Sequence, residues 1–239
     1  MAIIFSIEGN IGSGKSTLIK KLKNYLKQQY QDFNVIYLPE PVKIWETIKD
    51  SKGNTILKKF YQNQEKYAFS FQMMAYISRL MEIKREIKKN LKSIIICERS
   101  VWTDKNVFAK MLYDDSKIEE VNYTIYNMWF EEFVKELQLN AIFYVKTEPI
   151  KCAERVSIRK RDGEVIPLAY LEKCNKYHED WLSKSNKIII TFDGNIEFIN
   201  GIPGQWIEQI EQVIFNQLPK NFEELNKSTI NTIISTHGV

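Results

Sequence analysis

Residues Gly9-Asn10-Ile11-Gly12-Ser13-Gly14-Lys15-Ser16-Thr17 match the spacing G-x-x-x-x-G-K-[ST]. A loop of this kind wraps phosphates with its backbone N–H groups, brings Lys15 to the terminal phosphates and offers the Ser16 hydroxyl to a magnesium ion. The apolar run Ile3-Ile4-Phe5-Ser6-Ile7-Glu8 ahead of it reads as a strand, and the residues after it read as a helix. That context says more than the pattern alone: the chain handles a nucleoside triphosphate. An ordinary strand-to-helix turn is the plain alternative.

Other chemistry-bearing residues stand where strands should end. Leu38-Pro39-Glu40-Pro41 places Glu40 before a proline, hence in extended backbone, where a carboxylate beside a triphosphate can take a proton from a hydroxyl. Glu98-Arg99-Ser100 follows the run Ile94-Ile95-Ile96-Cys97. Glu98 can hold magnesium and Arg99 can face charge developing on a transferred group. Only six of the 34 basic residues are arginine, which suggests a need for the planar, bidentate fork where they occur, except at Arg85, which the charged run Glu82 to Lys89 marks as part of a solvated face. Arg155, Arg159 and Arg161 lie within seven residues and can close over a triphosphate as a lid. Gln72, Ala75 and Arg79 share a helix face at i, i+3 and i+7, and Asp104 and Phe108 share another at i, i+4. An amide, a cation, an anion and an aromatic plate suit a planar heterocycle with polar edges.

The elements that must position these groups are legible in the periodicity. Short β-branched or aromatic runs at Ile3 to Ile7, Val35 to Leu38, Ser93 to Cys97, Ala141 to Val145 and Lys187 to Phe192 alternate with helical patterns, which predicts a five-stranded parallel sheet flanked by helices. Helices are expected over about 15–31, 54–63, 65–90, 101–113, 118–138, 149–161, 168–185 and 203–217. The longest carries an apolar seam, Phe69, Met73, Tyr76, Leu80, Ile83 and Ile87, read as core or as the packing face of a homodimer. With 239 residues and 44% hydrophobic content, one domain over 1–217 with a polar tail over 218–239 is expected. A net charge of +4 without a concentrated basic stripe argues against long nucleic acid. Three scattered cysteines, Cys97, Cys152 and Cys174, indicate a reducing cytoplasm, and no apolar stretch reaches membrane-spanning length.

Taken together these motifs resemble the cellular deoxyribonucleoside kinases over about residues 3 to 217. The resemblance rests on the glycine loop, Pro39-Glu40-Pro41-Val42 with Trp45, Phe69-Ser70-Phe71-Gln72 and Glu98-Arg99-Ser100-Val101 with Asp104. It extends to Ile166-Pro167-Leu168, Tyr170-Leu171-Glu172 and His178-Glu179-Asp180-Trp181-Leu182. It implies a three-layer P-loop fold with an arginine-rich lid and ATP-dependent phosphorylation of a deoxynucleoside 5′-hydroxyl. A thymidylate-kinase-like monophosphate kinase is the alternative. By resemblance, Glu40 is the base and Arg99 its neighbour at the transfer site. Lys15, Arg155, Arg159 and Arg161 handle phosphates, and Ser16 with Glu98 holds magnesium.

On the acceptor side the resemblance gives Gln72 the base edge, Phe108 the stacking ring and Tyr61, preceded by Phe60, the sugar. Trp45 and Phe71 join the acceptor site, and Phe198 meets the adenine of ATP. The lid departs from relatives that carry two consecutive acids: here it reads Asp162-Gly163-Glu164, and Glu164 is assigned the sugar 3′-hydroxyl. Ala75, Arg79 and Asp104 resemble the set of the deoxycytidine and deoxyguanosine kinases, where thymidine-preferring relatives have bulkier apolar residues at the first two positions. Deoxycytidine and purine deoxynucleosides are therefore expected over thymidine.

Overall fold

The expected strands form one parallel sheet: β1 (Ile3–Glu8), β2 (Val35–Leu38), β3 (Ile94–Glu98), β4 (Leu139–Lys146) and β5 (Ile188–Asp193), in the order β2-β3-β1-β4-β5. They are seen in a computed structural model that describes residues 2–29, 35–89, 93–159, 164–197 and 201–218. The expected C-terminal tail from Pro219 onward lies outside the described residues. β1 and β3 are buried at every position, which is why they read as unbroken apolar runs, whereas the edge strands β2 and β5 are partly exposed. The register pairs Ile7 with Glu98, Leu38 with Cys97 and Glu8 with Tyr144, so the carboxyl ends of β2, β3, β1 and β4 come out side by side. Glu40, Glu98, Arg99 and the glycine loop are thereby delivered to one edge.

Alternation along the strands sorts the core into two layers. Phe5, Ile7, Ile96 and Phe143 face α1 (Lys15–Gln29) and α10 (Gly204–Asn216), which contribute Leu18, Leu22, Ile207 and Ile210. Ile4, Ile95, Cys97 and Ile142 face the other way, against α4 (Gln64–Lys89) and α7 (Glu120–Val134). A third cluster lies around Trp45, Leu57, Phe60, Phe71 and Ala75, built by α2 (Val42–Thr47), α3 (Ile56–Gln62) and the first half of α4.

The structure chooses between the two readings of one feature, corrects one helix and adds another. The long-helix seam is core: Tyr76, Leu80 and Ile83 are buried, and the Tyr76 ring lies 5.5 Å from that of Phe130 and 5.6 Å from that of Tyr126 on α7. It is therefore not a dimer face. The helix expected over 101–113 is broken into α5 (Val101–Thr103), a π-helical stretch (Asp104–Ala109) and α6 (Lys110–Asp114), with the Lys110 N–H bonded to the carbonyl five residues back at Lys105. Such π turns concentrate at functional sites, and this one carries Asp104 and Phe108. Helix α2 was not anticipated, because six residues are too few to display a period. Two further helices, α8 (Pro149–Arg159) and α9 (Leu168–Leu182), start where expected; α9 ends before the expected 185, and residues 160 and 161 of the first lie outside the described residues.

Candidate active site

The glycine loop is held in shape from several sides. Gly9, Gly12 and Gly14 have φ of 144°, 83° and 104°, a region closed to most side chains. A Cβ at Gly12 would lie 2.6 Å from the Cys152 carbonyl oxygen on α8, so the loop is pressed onto that helix. Asn10 donates from Nδ2 to the Leu171 carbonyl on α9 at 2.8 Å, and Thr147 donates from Oγ1 to the Ser13 carbonyl at 3.1 Å. Lys15 donates from Nζ to the Asn10 carbonyl at 2.7 Å. Burial, reinforced by the nearby Arg99 charge, lowers the Lys15 pKa from 10.5 to about 7.

Beside the loop, Ser16 Oγ donates to Glu98 Oε1 at 2.6 Å, so the two residues expected to share a magnesium ion already touch. A hydroxyl and a carboxylate are hard oxygen donors that suit this ion, which takes few protein ligands and completes its shell with phosphates and water. Among the described residues no group of three or more His, Cys, Asp or Glu could hold a metal on its own. One hydroxyl and one carboxylate fit an ion whose remaining ligands are phosphate and water.

Glu40, at the end of β2, meets Arg99, just past the end of β3: Arg99 Nε donates to Glu40 Oε1 at 3.2 Å. Arg99 has a φ of 65°, which turns its side chain back across the strand ends. There it also donates from Nη1 to the Gly9 carbonyl at 2.8 Å, and its guanidinium lies 4.9 Å from the Phe108 ring centroid. Arg79 donates from Nε to Asp104 Oδ2 at 2.9 Å and from Nη1 to the Glu98 carbonyl at 2.7 Å. Its Nη2 stands 3.8 Å from Glu40 Oε1. Burial raises the Asp104 pKa to about 6, with Arg79 opposing, which leaves a carboxylate at neutral pH.

One cavity of about 620 Å³ joins these groups. Ile11, Gly12, Gly14, Lys15, Ser16, Thr17, Glu98, Arg155 and Arg159 line the loop side, and Glu40 and Arg99 stand between the two sides. Trp45, Phe60, Tyr61, Phe71, Gln72, Ala75, Asp104, Phe108 and Glu164 line the remainder. Phe60 stacks on Phe71 at 4.6 Å, and Trp45 donates from Nε1 to Ser78 Oγ at 3.0 Å, so the apolar wall is rigid. Gly9, Asn10, Ser13 and Arg79 lie behind the lining and shape it through the bonds just given. Arg155 donates to the carbonyls of Ser13 at 3.3 Å and Ile196 at 3.1 Å. Arg159 grips both oxygens of Glu164, at 2.7 and 2.6 Å. Arg161 and Phe198, the remaining expected site residues, lie outside the described residues.

Ile44, Leu57 and Tyr170 line the same cavity and were not singled out in the sequence. Ile44 comes from α2, which is too short to display a period, and Leu57 lies in the helix expected over 54–63 but carries no group that signals chemistry. Tyr170 sits in the quoted Tyr170-Leu171-Glu172 motif, and its place one turn before Cys174, on the buried face of α9, was the available signal.

A parallel sheet with a glycine loop after its central strand, acids and arginine at the neighbouring strand ends and an apolar acceptor cavity beyond defines a P-loop phosphotransferase. The deoxynucleoside kinase family model matches residues 5–230. Deoxycytidine kinase of Rattus norvegicus is 35% identical over 219 residues, covering 83% of this chain and 80% of the rat protein. Homo sapiens deoxycytidine kinase is 34% identical over the same length and coverage. Mitochondrial deoxyguanosine kinase of Xenopus laevis is 31% identical over 217 residues, covering 83% of this chain and 78% of the frog protein. The chain belongs to the deoxynucleoside kinase family, and the expected resemblance is borne out.

The lowered pKa of Lys15 has a measurable consequence. From about 7 up to its ordinary 10.5, the free protein carries fewer protons on Lys15 than a complex in which phosphates stabilise the ammonium. Calorimetry of ATP binding at about pH 8, in buffers of different ionisation enthalpy, should therefore show uptake approaching about one proton. The Lys15→Arg variant, charged throughout, should show none, and buffer-independent heats for the wild type would overturn this reading of Lys15.

Proposed function

We propose that this kinase transfers the γ-phosphoryl group of ATP to the 5′-hydroxyl of deoxynucleosides, with deoxycytidine and the purine deoxynucleosides preferred over thymidine. The observation that carries the reading is the contact between Glu40 and Arg99 at 3.2 Å, at the lip between the phosphate loop and the acceptor cavity. Glu40 takes the proton of the 5′-hydroxyl as oxygen attacks phosphorus, and Arg99 stabilises charge on the transferred group. Lys15, Arg155, Arg159 and Arg161 hold phosphates. Ser16 and Glu98 would hold a magnesium ion, which when bound neutralises phosphate charge. Most of the catalysis is positioning, as suits a loose phosphoryl-transfer transition state.

On the acceptor side, Gln72 addresses the base edge and Phe108 stacks on the base. Tyr61 and Glu164 take the sugar, while Phe198 packs against adenine. The Asp104 carboxylate, fixed by Arg79, favours bases with an exocyclic amine, and Ala75 leaves room beside it. Leaving such buried partners unpaired can cost about 10⁴ in discrimination. The named relatives are deoxycytidine and deoxyguanosine kinases, so the thymidylate-kinase alternative is not favoured.

A homodimer remains our reading, on a different face from the seam. Ile77 and Met81 on α4, with Val121, Ile125, Met128 and Trp129 on α7, are exposed together, Val121 and Met128 by 69% and 66%. Exposed apolar side chains on two helices that touch support an association site there. The cytoplasm is the proposed compartment, supported by three free, buried cysteines. No helix among the described residues is long and apolar enough to cross a membrane.

A kinetic panel of the four deoxynucleosides and their monophosphates with ATP tests the function. Deoxycytidine, deoxyadenosine and deoxyguanosine should exceed thymidine in kcat/KM by about tenfold or more. Thymidine equal to the best of them would refute the specificity, and turnover of monophosphates alone would refute the acceptor. Glu40→Gln should lower kcat by about 10²-fold or more with ATP affinity unchanged; wild-type turnover would remove Glu40 from the base role. Light scattering should give about twice the 28.3 kDa chain mass, and Val121→Lys combined with Met128→Lys should return the monomer. A wild-type monomer would exclude the dimer.

A further inference from the structure

His178 is fully buried on α9, directly behind Arg99, and none of the roles given above uses it. Its Nδ1 lies 2.7 Å from the Cys174 carbonyl oxygen, one helical turn back. A carbonyl can only accept, so Nδ1 carries the proton and Nε2 is left with a lone pair. That lone pair faces Arg99: Nε2 and Arg99 Nη1 are 3.5 Å apart. The ring is clamped edge-on to Phe108 at 6.3 Å and lies nearly parallel to Tyr144 at 6.3 Å and 13°. Tyr144 is itself anchored, donating from its hydroxyl to Glu179 at 2.5 Å. Burial, with the Arg99 charge beside it, lowers the His178 pKa to about 3, so the ring is a neutral acceptor at working pH.

We propose that His178, as the Nδ1–H tautomer, is a positioning residue for Arg99, accepting from its guanidinium at Nε2 and setting the plane in which the fork meets the transferred group. The inference rests on the transfer-site reading of Arg99. Without His178, Arg99 Nη1 keeps the Gly9 carbonyl and Nε keeps Glu40, but the side of the guanidinium toward α9 loses its polar stop. Arg99 Nη1 is thus shared between the phosphate loop and α9, which also accepts from Asn10 of that loop through Leu171. The helix that follows the lid is therefore bonded both to the loop that holds the donor and to the arginine at the point of transfer.

Two isosteres separate the ring's two functions. Asparagine reproduces a donor near the Nδ1 position and nothing at Nε2, whereas glutamine places an acceptor near Nε2. With the deoxynucleoside that the wild type turns over fastest, His178→Asn should lose about 10- to 100-fold in kcat while KM changes by less than about threefold, and His178→Gln should stay within about threefold of wild type. In an Arg99→Met background His178→Asn should cost nothing further. Wild-type kcat in His178→Asn, a loss in His178→Gln as large as that in His178→Asn, or the same cost with and without Arg99 would each overturn the inference. Wild-type kcat in Arg99→Met alone would instead overturn the transfer-site reading, and the inference with it.

Should the asparagine variant fail to fold, the wild type decides. The chain has two histidines, His178 and His237, so His237→Gln assigns the imidazole nitrogens in a ¹⁵N spectrum. A protonated Nδ1 and an unprotonated Nε2 at neutral pH are expected. A protonated Nε2 could not accept from Arg99 and would refute the proposal.

Discussion

The guanidinium of Arg99 is the joint around which the site is assembled. One side chain bonds the end of β1 at the Gly9 carbonyl, the end of β2 at Glu40 and, through the face of Phe108, the π-helical stretch after β3. It can reach all three because its own backbone is in the left-handed region, with φ of 65°. For a non-glycine residue that conformation costs on the order of 1–3 kcal/mol and persists only where surrounding contacts over-determine it. Here they do. A residue in ordinary strand geometry would continue along β3 and leave Glu40 and the glycine loop without a common partner.

Around that joint the charged groups are tied down before any ligand arrives. Arg79 meets Asp104, Ser16 meets Glu98, and Thr103 Oγ1 donates to the fully buried Glu8. Removing one member of such a set strands the other in a low-dielectric environment, which is why single substitutions there act on folding as well as on chemistry. The arrangement also spares the reaction most of its electrostatic reorganisation, because dipoles and charges are already aimed at the place where the phosphoryl group moves. The π-helical stretch contributes to this economy. Its wider turn changes the angle between Asp104 and Phe108, so that the carboxylate faces Arg79 while the ring faces Arg99.

Much of this was legible in the sequence because it is written in local patterns. The five strands announce themselves by continuous apolar runs, since the central ones are buried on both faces. Glu40 and Arg99 could be placed at strand ends from Pro39, Pro41 and the end of Ile94 to Cys97. What could not be read depends on contacts far apart in the chain. Whether the seam of α4 packs within the chain or against a second copy turns on Tyr126 and Phe130, some fifty residues away, and the spacing of the seam is the same in both cases. The π turn is invisible because its residues keep a helical composition. The depth of Gln72 follows from α2 and α3 packing against α4, which the period of α4 itself does not show.

The pair Arg159 and Glu164 shows how the two halves of the site can be coupled by charge alone. On the proposed assignment the arginine serves the donor phosphates and the glutamate the acceptor's sugar hydroxyl, yet in the free protein each holds the other through two hydrogen bonds. Glu164 is nearly buried at 3% exposure while Arg159 is 36% exposed, so most of the cost of separating them falls on the carboxylate. On that assignment, the donor phosphates and the sugar hydroxyl each compete for one member of the same ion pair. Both bonds come from the single nitrogen Nη2, so the guanidinium meets the carboxylate with one prong and not as a fork-on-fork pair. A ligand that takes either member of the pair changes the surroundings of the other, and any such effect between two ligands is reciprocal by linkage.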